Sequence, residues 1–243
     1  MTSTLPHVTA HPAWIDAARA QWLPRDGHVE PLRVEAYLRS PVAFERDDGL
    51  RLDGALSWVT VALTTGLPPP EAFAGVPKGA YVDIPVPIAD AVIAGWRVAM
   101  CSDAALPPVR VEVSRRRRKK PHPEALGLAK VQTTGGAWKA LDIPVAAHVA
   151  PVLTWYLVGD RERLETMLRE LHAIGRGRAG GLGTVEAWTV TRDEMARERW
   201  RERALPVESG VDYGDRVVRQ AAVRHAYWHP KTRTLAACPV VAC

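Results

Sequence analysis

Between Gly175 and Gly183 the chain reads Gly175-Arg176-Gly177-Arg178-Ala179-Gly180-Gly181-Leu182-Gly183, five glycines with two arginines in the same turn. A backbone so bare of side chains can approach a phosphate closely and turn several N–H groups toward it. Arg176 and Arg178 add fixed positive charge there. The letters Gly175-x-Gly177-x-x-Gly180 also match a dinucleotide fingerprint. That fingerprint requires strand, glycines, then helix, so that pyrophosphate meets a helix N-terminus. The order expected here is helix, glycines, strand, which sets the loop at the negative end of a helix dipole. A nicotinamide site is therefore excluded, and the absence of a Walker-type Lys-Ser/Thr pair argues against a nucleoside triphosphatase.

A second charged feature is Arg115-Arg116-Arg117-Arg118-Lys119-Lys120. Six consecutive cations repel one another and resist burial, so an exposed loop or hairpin tip is expected. It reads as an anion-binding arm that neutralises phosphates without sequence preference, or as a solubilising surface loop. Acid–base chemistry on RNA would need a general base near the 2′-hydroxyl and a donor for the leaving oxygen. His28, His122 and His225 fall in expected loops, and His172 in the expected last turn of a helix, where a His complements the dipole. No close His–His or His–Tyr–Lys set stands at the start of the chain. Cys101, Cys238 and Cys243 are scattered without metal spacing, so reduced thiols, no metal and no cofactor are expected.

The elements that must position these residues follow from periodicity. Leu164, Met167, Leu168, Leu171 and Ile174 form one helical stripe, with Asp160 as its cap, a Glu165–Arg169 pair on its surface and Gly175 as its left-handed stop. Thr184 to Val190 is an alternating β-rich run. Leu32, Val34, Ala36 and Leu38 alternate with Arg33, Glu35, Tyr37 and Arg39 in a half-buried strand closed by Ser40-Pro41. Leu52, Leu56, Val59 and Leu63 share a helical face that Gly66 stops, against the β-branched run Val59-Thr60-Val61. Short strands are expected over 81–86, 95–100 and 109–114, a hairpin around 128–131 and 138–143 turning at Thr133-Thr134-Gly135-Gly136, and a strand over 153–158. Thr191 and Glu194 suggest a capping box for a charged helix to Arg203.

The order predicts an α+β fold: a ferredoxin-like, RRM-like β-α-β-β-α-β core with the glycine-rich loop after the second helix and an inserted β-hairpin region. Its sheet is a common RNA platform. Residues 1–30 read as a partly ordered leader, 31–190 as the core with a basic insertion near 114–123, and 191–243 as a helix and extended, irregular tail packed on the core. A chain of 243 residues, 47% of them hydrophobic, can bury a real core, and a net charge of +5 suits an anionic partner. No apolar run reaches transmembrane length and no secretory pattern opens the chain, so a cytoplasmic protein without membrane contact is expected. Nine tryptophans against two phenylalanines serve core, subunit contact or base stacking.

A helix ending in a glycine- and arginine-rich loop, Gly175 to Gly183, followed at once by a strand, resembles the loop of the repeat-associated (RAMP) CRISPR proteins. Leu38-Arg39-Ser40-Pro41-Val42, then Leu52-Asp53-Gly54-Ala55-Leu56, resemble the start of the type IV CRISPR subunit that caps the crRNA 5′ end, the counterpart of the fifth Cas protein of type I systems. The tail, Arg224 to Trp228 followed by Cys238-Pro239, is similar to that family's, with His225 and Ala226 where the family has prolines. The resemblance spans most of Leu32 to Pro239. It implies a non-catalytic subunit that holds the crRNA 5′ handle and contacts the backbone and large subunits, with target DNA reached through the complex, in a position that could lie near the target-flanking motif. The glycine loop and the run Arg115 to Lys120 are the expected RNA contacts, and Arg39, Arg224, Tyr227 and Trp228 secondary RNA or subunit contacts. The rival readings are a metal-independent endoribonuclease that processes precursor crRNA, and a general nucleic-acid-binding structural protein.

Overall fold

Alternation and capping account for most of the elements. The computed structural model describes residues 9–44, 49–77, 79–105, 110–117, 142–227 and 229–239, and of residues 69, 70, 114–117, 142 and 143 the backbone alone. In chain order these are α1 (Ile15–Trp22), β1 (Val29–Leu38), α2 (Leu52–Thr65), α3 (Pro69–Ala72), β2 (Asp90–Ile93), β3 (Trp96–Ala99), β4 (Arg110–Arg117), β5 (Asp142–Val149), β6 (Val152–Asp160), α4 (Arg161–Arg169), β7 (Val185–Arg192), α5 (Ala196–Arg199), β8 (Leu205–Pro206), β9 (Val217–Ala222) and β10 (Arg233–Cys238). The fold is a mixed α/β one in which the paired strands are antiparallel.

β1 is the centre of the main sheet, ordered β6-β1-β7. Its Leu32, Val34 and Ala36 are fully buried, as their alternation predicts, and pack with Leu153, Trp155 and Leu157 of β6. Beyond β6 the chain from Cys101 to Ala105 runs alongside, with Ser102 N–H to Tyr156 O and Ala105 N–H to Thr154 O both at 2.8 Å. Leu52, Leu56 and Val59 of α2 and Leu164, Met167 and Leu168 of α4 join the same core. α2 forms despite its β-branched run because that face is buried, and Gly66 ends it at φ 66°. Leu63 stays 37% exposed, outside the stripe the sequence assigned it to. On the other face of the sheet, Arg199 of α5 stacks 3.7 Å from the Tyr156 ring centroid.

Several expectations are corrected. The stretch read as a leader contains α1, whose Ile15, Ala18 and Trp22 are buried. The Trp22 indole donates to Thr64 Oγ1 at 3.0 Å, which ties α1 to α2. Residues 81–86 form no strand: Val82, Ile84 and Val86 are buried, but only Tyr81 makes a bridge, to Thr9. The hairpin expected around 128–131 and 138–143 lies outside the described residues up to 141; β5 begins at Asp142 and pairs with β4. Thr191 remains in β7 opposite Arg33, so the charged helix shrinks to α5, entered through Asp193 Oδ1 accepting from Met195 N–H at 3.0 Å. The tail is not irregular, because β8, β9 and β10 make a second sheet in the order β8-β10-β9. Its strands mix small, apolar and charged residues without period, which hid them. Cys101 and Cys238 are buried free thiols, and burial raises both above the usual thiol range. No helix among the described residues is long and apolar enough to cross a membrane.

Candidate nucleic-acid interface

The helix before the glycine loop ends early. Asp160 caps α4 as expected, accepting from Arg163 N–H at 3.2 Å, and its buried carboxylate is held by the Arg25 guanidinium at 2.7 Å. Glu165 pairs with Arg161 at 2.8 Å rather than with Arg169. α4 stops at Arg169, six residues before Gly175, so neither Gly175 nor His172 belongs to its last turn. Leu171 and Ile174 are still buried, because extended backbone can bury the same positions. Hydrogen bonds explain the change: Val185 N–H donates to His172 O and Ile174 N–H to Gly183 O, both at 2.9 Å. The glycine segment is thus a hairpin between an extended arm and β7, turning through a short 3₁₀ turn at Arg178–Gly180. The helix-dipole argument against a dinucleotide loses its footing, while the order still fails because a strand follows.

This hairpin is stapled to the end of β1. Arg39 N–H donates to Thr184 O and Thr184 N–H to Ser40 Oγ, both at 2.9 Å; Gly183 N–H reaches Pro41 O at 2.8 Å and Arg176 N–H reaches Ala43 O at 2.6 Å. Gly175 and Gly183 are glycines for this reason. A Cβ would sit 2.5 Å from Ala43 O at Gly175 and 1.9 Å from Ile174 O at Gly183, and both have positive φ. Gly180, at the exposed tip, meets nothing within 4 Å. The bareness of the loop is therefore partly a packing requirement and partly an open surface.

The hairpin forms one side of a cleft of about 660 Å³. Gly175, Arg176 and Arg178 line it with Gly54 and Trp58 of α2, and Tyr227 of the tail. Phe73, Val76 and Val82 add apolar surface, and Tyr81 and His229 also border it. The indole of Trp58 is 50% exposed.

A buried polar cluster fixes the tail against α2. Tyr227 donates its hydroxyl to the Asp53 carboxylate, and Arg51 lies 4.3 Å over the Tyr227 ring. Arg203, fully buried, donates to Ala99 O at 2.8 Å, Cys101 O at 2.9 Å and Val223 O at 3.1 Å, and stands 3.8 Å from Asp53. Arg51 bonds Asp103 at 2.9 Å and Ala222 O at 2.7 Å. Burial pushes the Asp53 carboxyl up, but Arg203, His225, Tyr227 and Arg51 outweigh it, so the group stays below its usual range and ionised. Burial, with Asp53 beside it, raises the Tyr227 phenol well above its ordinary value and keeps it a donor.

Of the residues singled out in the sequence, Gly175, Arg176, Arg178 and Tyr227 meet at the cleft, with Gly177, Gly180, Gly181 and Gly183 in the same hairpin. Arg39 points elsewhere, 3.2 Å from Glu186. The Arg224 side chain is 14% exposed and its guanidinium is paired with Asp83. Arg115, Arg116 and Arg117 lie at the end of β4, and that strand joins the body through β5, where Val42 and His148 exchange backbone bonds of 2.9 and 2.7 Å. Arg118, Lys119, Lys120 and Trp228 lie outside the described residues. Sequence reading missed Trp58, Tyr81 and His229. Trp58 carried a signal, since the Leu52-Leu56-Val59 stripe leaves it on the solvent side of α2.

The model of one protein family, described as CRISPR type IV associated protein Csf3, matches residues 109–239, just over half of the chain. The match takes in the glycine hairpin, β7 and the tail, and the stretches around Arg39 and Asp53 lie outside it. No curated protein matches the chain. The chain belongs to the type IV CRISPR-associated Csf3 family, and is a type IV CRISPR subunit of the Cas5-like kind.

Proposed function

We propose that this chain is a non-catalytic crRNA-binding subunit of a cytoplasmic type IV RNA-guided complex, holding the crRNA 5′ handle at the glycine hairpin and its cleft. It contacts the backbone and large subunits, and meets target DNA through the complex, near the target-flanking motif. The observation that carries this reading is the convergence of Arg176, Arg178 and the half-exposed Trp58 on one cleft: cations for a phosphate chain beside an aromatic face for bases. The order Cys101–Ala105, β6, β1, β7, with α2 following β1 and α4 following β6, supports an RRM-like core of the RAMP type. In that reading β2–β3 and β4–β5 are insertions.

The endoribonuclease reading fares less well at this cleft. His229 borders it, but Nδ1 accepts from Lys231 N–H at 3.1 Å and Nε2 lies 2.8 Å from Gly79 O, so Nε2 carries the proton and no lone pair is left to take one from a 2′-hydroxyl. His225 is buried among Arg224, Asp83 and Asp53. The deciding experiment is purification of the tagged chain with the products of its neighbouring genes, followed by sequencing of bound RNA. A defined short RNA with a common 5′ end, uncut by the isolated chain, is the expected result. Cleavage of repeat RNA by the chain alone overturns the non-catalytic assignment, and indiscriminate DNA and RNA points to the general binder.

A further inference from the structure

Resting on that reading, we infer that the cleft takes one nucleotide base, turned out of the RNA strand and stacked on Trp58, and that it reads the flat face of that base rather than its edge. A large aromatic surface left half in solvent beside a concave apolar wall is informative in a way that a scattered exposed valine is not. Trp58 holds this position although Leu52, Leu56 and Val59 of the same helix are buried. The wall beside it is Phe73, Val76 and Val82, and the cleft's volume of about 660 Å³ leaves room for a base with its sugar. The exposed Arg178 at the same cleft has no carboxylate partner among the described residues, which leaves its guanidinium for the phosphate of that nucleotide. An apolar protein side chain would use the wall but not the cation.

The absence of edge reading follows from where the polar groups point. The Ser57 hydroxyl donates to Gly54 O at 2.8 Å, the Tyr227 hydroxyl to Asp53, and the His229 ring is engaged at both nitrogens. These three polar side chains on the α2 and tail sides are thus engaged with the protein, while the aromatic face of Trp58 is not. Stacking of this kind tolerates every base, because every base has a π-face.

The test is an abasic scan. The full chain, purified with its complex partners and stripped of RNA, is titrated with the handle RNA recovered from the native complex, then with copies carrying a single abasic ribonucleotide at each position. Removal of the base at one position should weaken binding by roughly 5- to 150-fold, while changing its identity at that position costs under about threefold. Trp58→Ala should erase the sensitivity of that position alone, and Trp58→Phe should keep it, with thermal melts showing both variants folded. If every abasic RNA binds like the parent, the inference fails while RNA binding stands. If base identity matters as much as base removal, edge reading replaces stacking and the inference also fails. Loss of a protein subunit on Trp58→Ala, with RNA affinity unmoved, assigns the cleft to a protein instead. If no RNA binds at all, the functional reading falls with it.

Discussion

The Cα of Gly54 and the ring of Tyr227 are in such close approach that a methyl group on Gly54 would lie 2.9 Å from Tyr227 Cε2. The two residues are far apart in the chain, and their contact is what docks the tail on the first turns of α2. Glycine inside a helix costs about 1 kcal/mol relative to alanine, so helix stability is given up here for packing. Tyr227 cannot swing aside, because Asp53 holds its hydroxyl and Arg51 covers its ring. Gly54→Ala should therefore destabilise the chain by about 1–2 kcal/mol despite the better helix propensity. Urea denaturation checks the sign: a variant more stable than the parent would mean that the tail is free to move off α2.

The glycine hairpin separates into positions that fold needs and positions that it does not. Gly183→Ala forces a Cβ onto Ile174 O in a backbone of positive φ, at a cost of about 1–3 kcal/mol or more. Gly180→Ala meets open space without a positive φ, and should melt with the parent. If the two variants melt alike, the hairpin is not the rigid, stapled unit described above.

The central strand β1 could be foreseen because it is buried on one face, and burial on one face writes a period of two: Leu32, Val34 and Ala36 alternate with residues that are only half buried. The glycine loop, the α2 element and their neighbours were also visible as residue types. The end of α4 was not, since Leu171 and Ile174 are buried equally well by a helix and by the extended arm that replaces it. What selects the arm is a set of backbone bonds to Gly183 and Val185, which leave no trace in residue type. The second sheet was missed for a related reason. Its buried members include Ala221, Ala222, Ala236 and Ala237, too small to show a hydrophobic rhythm, and Arg203, just before β8, is buried because its guanidinium ends on three carbonyls. As for the site, cations and glycines announced themselves, but Trp58 mattered only once Phe73 and the hairpin were seen to share its cleft.

His225 makes stability fall on the acid side. The ring is buried, and both nitrogens lack a hydrogen-bond partner. Burial, then Arg224, lower its pKa below 6.5, against the opposing pull of Asp53, Asp83 and Asp90. The unfolded chain therefore binds a proton at a higher pH than the folded one, and stability is lost as pH drops below about 6.5 until the folded ring also titrates. Urea midpoints should decline from pH 7 to pH 5. His225→Phe keeps the ring volume and removes the titration, so its profile should be flatter over that window. An equal slope in both proteins would place the acid sensitivity elsewhere.

The last prediction separates the two basic features. Arg176 and Arg178 border the cleft, so Arg176→Ala with Arg178→Ala should lower affinity for the handle RNA and reduce the salt dependence by about 0.7 log units for each phosphate of a single strand that is no longer neutralised. Neutralising Arg115 to Lys120 should also flatten the salt dependence, because the run begins on β4, which β5 links to the Val42 end of the same hairpin staple. The two effects should differ in position: the cleft variant should weaken protection of the 5′ handle, and the run variant protection of the adjoining nucleotides. Nuclease footprints on the native RNA, taken at matched salt, check this. Unchanged affinity after removal of Arg176 and Arg178 would mean that the hairpin faces protein, and an unchanged slope after neutralisation of the run would mean that those six cations only solvate the surface.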